Sequence, residues 1–203
     1  VDISAVLAFT LAAIAIELTP GPNMVWLALV ALTEGRRAGL AAVAGVGTGL
    51  ALVGAAVSFG LGALVANTPA AYQILRFAGI GYLLWLAWEA WRSTGQPRRD
   101  YTDFKVSFSK HFLRGVITNL LNPKAFLFYV AILPAFLASP VILSATAIFC
   151  AIYVVVATAI HAGIVLAANA AGDILHTDAH MKTVGRVSAA LLAVLAVWLF
   201  VKT

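Results

Sequence analysis

Few side chains in this sequence can do chemistry, and most of them cluster where two long apolar runs are interrupted. The first interruption is Thr19-Pro20-Gly21-Pro22-Asn23, preceded by Glu17. The second is Asn119-Leu120-Leu121-Asn122-Pro123-Lys124, in a later run. A proline lacks an N–H and its ring clashes with the carbonyl four residues back. Pro20 and Pro22 therefore strand the carbonyls of Ile16 and Leu18, and Pro123 strands that of Asn119. In lipid a freed carbonyl needs a polar partner or a water-lined cavity. Two such breaks in corresponding positions are the signature of a transport site built from discontinuous helices.

Glu17 lies near the middle of its run, on a face shared with Thr10, Ala13 and Gly21. Ionising a carboxyl at that depth costs roughly 3 kcal/mol or more, so a partner or a function is expected for it. It reads either as a proton carrier or ammonium ligand, or as a structural partner. Lys124 is its counterpart at similar depth. The pair would neutralise both charges; the alternative is that Lys124 only satisfies carbonyls at the end of a half-helix. Asn119 and Asn122 are three apart and share a face, and Asn23 is expected to cap the half-helix after the first break. These amides could hydrogen-bond a zwitterion's ammonium and carboxylate, the carboxylate lying at the helix N-terminus.

His161 shares a face with Thr158 and, roughly, Asn169, and reads either as a packed side chain or as a proton relay. His176, Asp178 and His180 resemble metal ligands, but they fall in a polar connection and lack a second half, so no metal site and no cofactor are expected. The lone cysteine, Cys150, excludes an intramolecular disulfide and a CxxC site and reads as a packing thiol. Nothing in the sequence forms a nucleophile–base arrangement, a phosphate loop or an HExxH pair, so an enzyme is not expected.

The elements that must position these groups are membrane spans. Of the 203 residues 63% are hydrophobic and only 10% charged, and mean hydropathy is +0.99. Soluble domains carry about a quarter charged residues. The pattern predicts an all-α membrane protein with six transmembrane helices. The spans run over about 3–33, 38–66, 70–91, 112–138, 141–171 and 183–201, the first and fourth broken by proline. The first run shows no basic start or cleavage site, so no signal peptide is expected.

Arg36 and Arg37, the group Arg92, Arg98, Arg99, Lys105, Lys110 and Arg114, and the pair Lys182 and Arg186 follow spans one, three and five. The turns at 67–69 and 139–140 carry no Lys or Arg. The basic connections thus share one side, expected to be cytoplasmic, and six spans then leave both termini outside. This pattern also explains the net charge of +5 without nucleic acid. Arg76 is near enough to the outer interface to snorkel, and Trp88, Glu89 and Trp91 sit where interface anchors sit.

The chain reads as one domain, 1–203. Its two halves, about 1–92 and 111–203, are joined by a basic loop at 93–110 and form a 3+3 inverted repeat. That loop is either a solvated linker or a short interfacial helix, with Phe104, Phe108 and Phe112 recurring every four residues. Gly45-x-x-x-Gly49, in a glycine-rich second span, permits close helix packing. It serves packing within one subunit, a homodimer interface or a sliding helix.

These motifs resemble the LysE/RhtB family of amino-acid exporters. The resemblance is carried by Leu18-Thr-Pro-Gly-Pro-Asn23 with Gly35-Arg-Arg-Ala-Gly39, by Gly45-x-x-x-Gly49, and by Leu75-Arg-Phe-Ala-Gly79-Ile-Gly-Tyr82-Leu. It continues in Gly115-x-x-x-Asn119-Leu-x-Asn122-Pro123-Lys124, leading to Leu133-Pro134-Ala-Phe136. It covers the first four spans, and the last two are simply apolar, as that family's are. The resemblance implies a secondary transporter exporting amino acids or close derivatives across the bacterial inner membrane, with coupling to protons, as in an antiporter. It leaves the substrate open. Some relatives in the wider superfamily move metal ions, and the single deep acid, Glu17, argues against a divalent cation here. The expected site is Glu17, Pro20, Gly21, Pro22, Asn23, Asn119, Asn122, Pro123 and Lys124. The alternative function is an uncoupled channel or permease for small solutes or ions.

Overall fold

The computed structural model describes residues 2–59, 68–92, 104–137, 143–174 and 178–202, all helical apart from caps and breaks. The order is α1 (Ile3–Leu18), α2 (Pro22–Glu34), α3 (Arg36–Ser58), α4 (Pro69–Arg92), α5 (Phe104–Leu120) and α6 (Pro123–Leu127). A π turn (Phe128–Ile132) and a 3₁₀ turn (Leu133–Phe136) follow, then α7 (Leu143–Ile174) and α8 (Asp178–Lys202).

Both interruptions are true breaks. The axes of α1 and α2 differ by 60°, and those of the helices on either side of Pro123 by 53°. At the first break the chain repairs its own stranded groups. The Thr19 N–H donates to Ile16 O at 3.1 Å and the Thr19 hydroxyl to Ala15 O at 3.1 Å. At the second, the Asn122 N–H donates to Asn119 O at 3.0 Å, the carbonyl that Pro123 strands. Each new helix then starts with proline at its first position, where the missing N–H costs nothing. A third change of direction comes at Gly35, between α2 and α3. Its φ of 89° is a conformation that residues with a Cβ rarely adopt.

Among the described residues, α3 and the stretch Leu143–Gly172 of α7 can each cross a bilayer by length and composition, and the two bent pairs raise the candidate spans to four. Helices α4 and α8 pack against each other. The helix that carries the expected fourth span begins before it. Helix α5 starts at Phe104, so residues 104–110 of the expected loop are helical and continuous with it, and Phe108 and Phe112 stack 5.9 Å apart. The rest of that loop, the turn at 139–140 and His176 lie outside the described residues, as do the side chains of Arg76, Asp178 and His180.

Close packing follows the glycines. A Cβ on Gly45 would lie 2.0 Å from Phe112 O, and one on Gly115 2.3 Å from Ala42 O, so α3 and α5 cross backbone to backbone. A Cβ on Gly49 would lie 2.9 Å from the Asn119 Cβ. The Gly45-x-x-x-Gly49 pattern therefore serves packing within the chain. On other faces of α3, Gly39 and Gly47 admit Val165 and Thr158 of α7. In α4, Gly79 lets the helix rest on Leu121 O at the second break. Removing side chains at these crossings brings backbones together where apolar burial offers little driving force in lipid.

Candidate functional site

The two breaks meet around one small, buried polar cavity lined by Glu17, Gly21, Asn23, Met24, Leu50, Asn119, Asn122, Lys124, Ala125 and His161. Six of the nine expected site residues line it. Pro20, Pro22 and Pro123 do not; they make the bends that deliver the others.

The local geometry of the two breaks is alike. Gly21, Pro22 and Asn23 occupy the N-cap, first and second positions of α2. Asn122, Pro123 and Lys124 occupy the same three positions of α6. Asn122 is a side-chain cap, accepting from the Lys124 N–H at 3.1 Å. The expectation that Asn23 caps α2 is corrected: the N-cap is Gly21, without a side-chain hydrogen bond. Starting the helix at Pro22 leaves the Asn23 side chain free to reach across the molecule.

Both second-position side chains cross to the opposite break. Asn23 Nδ2 donates to Asn119 Oδ1 at 2.9 Å. Lys124 Nζ donates to Thr19 O, the C-cap carbonyl of α1, at 2.9 Å. The structure thus gives Lys124 the carbonyl-satisfying contact and not a direct ion pair with Glu17. Each break is closed by a side chain from the other, two reciprocal latches over the cavity.

Glu17 is 4% exposed and is held by α7. The Tyr153 hydroxyl donates to its Oε1 at 2.6 Å, and His161 Nε2 lies 3.2 Å from its Oε2. Tyr153 and His161 are eight apart, two helical turns, and so face the same way. Behind them an aromatic layer fixes the geometry. Phe128 stacks on Tyr153 at 3.8 Å, and Phe9 packs against Phe128, Phe136 and Phe149 with centroids 4.9–5.5 Å apart. Tyr129, in the π turn, donates to Leu50 O at 3.0 Å.

The cavity retains unsatisfied polar atoms. Asn23 Oδ1, an acceptor, and Asn119 Nδ2, a donor, are buried without hydrogen bonds. Such atoms cost about 1–3 kcal/mol each when left unpaired, so the cavity offers a polar ligand one acceptor and one donor. Reading the sequence missed Tyr153 altogether and left His161 undecided. The available signal was their eight-residue spacing in an otherwise apolar run.

A second polar layer joins the same elements away from the cavity. His111 Nε2 of α5 lies 3.1 Å from Glu34 Oε2 of α2, and Arg114 donates to Glu89 of α4 at 2.7 Å. Arg114 also lies over the Trp85 ring at 5.3 Å. Glu89 thus anchors α4 on α5. No cluster of three or more metal-ligating side chains occurs among the described residues.

Bent, proline-started half-helices around a buried polar cavity define a helical membrane protein of the translocator kind. Residues 14–203 match the LysE type translocator family, and the chain belongs to that family. It is 35% identical over 136 residues to an uncharacterized membrane protein of Vibrio cholerae, covering 67% of this chain and 66% of that one. It is 32% identical over 130 residues to the homoserine/homoserine lactone efflux protein of Salmonella typhimurium, covering 64% and 63%. It is 34% identical over 130 residues to the leucine efflux protein of Salmonella choleraesuis, covering 64% and 61%. The matched stretch spans less than two thirds of the length of these relatives. No solved structure matches the chain.

Proposed function

We infer that this chain is a secondary transporter exporting amino acids or close derivatives across the bacterial inner membrane, coupled to protons. The observation that carries this reading is the cavity at the meeting of the two breaks, which offers every group a zwitterion needs. Glu17 and the acceptor Asn23 Oδ1 suit an ammonium; Lys124 and the donor Asn119 Nδ2 suit a carboxylate. The relatives named for homoserine and leucine efflux support a small amino acid as the class of substrate.

In this reading α4 and α8 complete six spans, the halves form a 3+3 inverted repeat, and both termini lie outside. The matching N-cap, first and second positions at the two breaks support the repeat. Substrate enters from the basic side, displaces the reciprocal latches, and leaves when Glu17 is protonated. The α3–α5 crossing, made inside one chain, gives the glycine motif a role that needs no homodimer.

The test is transport by purified protein in proteoliposomes. Labelled neutral amino acids should exchange across the membrane, and an imposed pH gradient should drive their accumulation. Exchange that ignores the gradient would replace the exporter with an uncoupled permease.

A further inference from the structure

Resting on the exporter reading, we propose that His161 is a second proton-binding residue of the site, and that proton and substrate ammonium compete for the Glu17 carboxylate through it. His161 is 2% exposed and lines the cavity. Its Nε2 lies 3.2 Å from Glu17 Oε2, within ion-pair range. A buried imidazole with one nitrogen against a carboxylate is placed to take a proton with its counter-ion beside it.

The surrounding groups fit that role. On α1 the facing group is Glu17; on α7 they are Tyr153 and, further along, Cys150; on the π turn, Tyr129; on α6, Lys124. Helices α2 and α5 contribute the neutral amides of Asn23 and Asn119, and α3 contributes Leu50. With His161 neutral, the cavity holds one carboxylate and one ammonium, and Glu17 is open to a substrate's ammonium. Once His161 takes a proton, its imidazolium occupies Glu17 and the substrate ammonium loses its counter-ion. Because the two ligands exclude one another at a single carboxylate, each must leave for the other to bind, which is the logic of exchange. Tyr153 holds the other carboxylate oxygen and positions Glu17.

The experiment compares wild type, His161→Gln and Tyr153→Phe in proteoliposomes. In wild type the KM for a labelled neutral amino acid should rise about tenfold as pH falls from about 8 to about 6. In His161→Gln the profile should flatten to within about twofold and proton-gradient stimulation should vanish, while exchange persists. Tyr153→Phe should keep the slope. A wild-type slope in His161→Gln, or a flattened one in Tyr153→Phe, overturns the proposal.

A substrate-independent arm separates it from the exporter reading. A hydrophobic carbodiimide modifies buried carboxyls in their protonated form, and the modification can be read by intact mass with Glu17→Gln as the blank. At about pH 5, below the range of the transport assay, His161→Gln should raise Glu17 modification about fivefold, because the carboxylate has lost its imidazolium partner. Unchanged modification overturns the proton-sharing even if amino acids are transported. Increased modification without any transport retains the shared proton and rejects the exporter.

Discussion

At the scale of residues, the site is defined by what each polar atom already has and what it lacks. Lys124 is committed to Thr19 O, so Lys124→Met should both remove a carboxylate ligand and leave a carbonyl at the first break unsatisfied. Hydrogen bonds to charged groups contribute about 1.5–3 kcal/mol, so transport should fall by at least about tenfold. Protein abundance in the membrane, measured alongside, separates this from misfolding. Glu17→Gln should likewise abolish gradient-driven accumulation. If both variants transport normally, the cavity is not the site. The Asn23–Asn119 contact makes a separate prediction. Alanine substitutions at the two positions should be non-additive, with a coupling of about 1 kcal/mol in a double-mutant cycle read by thermal melting in detergent.

At the scale of elements, prolines and glycines carry the design. Prolines at the first position of α2 and α6 set the bends, and the bends bring the second-position side chains across to the opposite break. Glycines of α3 and α5 then bring these two helices into backbone contact directly beside Asn119. Gly45→Ala places a methyl 2.0 Å from Phe112 O, which the backbone cannot yield without separating the helices. It should destabilise the protein by about 2 kcal/mol, visible as a lower melting temperature, and should weaken transport by shifting Asn119. At Gly81, where a Cβ meets nothing within 4 Å, alanine should be tolerated and serves as the control.

At the scale of the whole molecule, the basic connections and the six-span reading predict which surfaces are reachable from each side. Cys150 is buried, and its replacement leaves a background on which single cysteines can be introduced. A cysteine at Asp2 should react with an impermeant thiol reagent from outside the cell, and one at Arg37 only in inverted vesicles. The reverse result would mean an odd number of spans or an inverted orientation. Because the reciprocal latches tie the breaks together, neither break should work alone. Straightening one, by Pro123→Ala, should abolish exchange as completely as straightening the other.

The sequence by itself determined the class of protein, the positions of the two breaks and the acid beside the first. Those features are local: hydropathy along a run, a proline without an N–H, a carboxylate at bilayer depth. It also placed Glu17, Asn23, Asn119, Asn122 and Lys124 among the candidates, because polar groups are rare enough in apolar spans to stand out. Only the tertiary structure decided how they pair. Which carbonyl Lys124 reaches, whether Asn23 caps its own helix or crosses to Asn119, and that Tyr153 and His161 clasp Glu17 all depend on helices far apart in the chain, 96 residues for Asn23 and Asn119, 105 for Lys124 and Thr19 and 136 for Tyr153 and Glu17. The periodicity of α7 says that Tyr153 and His161 face one way. It cannot say what they face, because the neighbour is chosen by backbone crossings and bend angles that no single helix encodes.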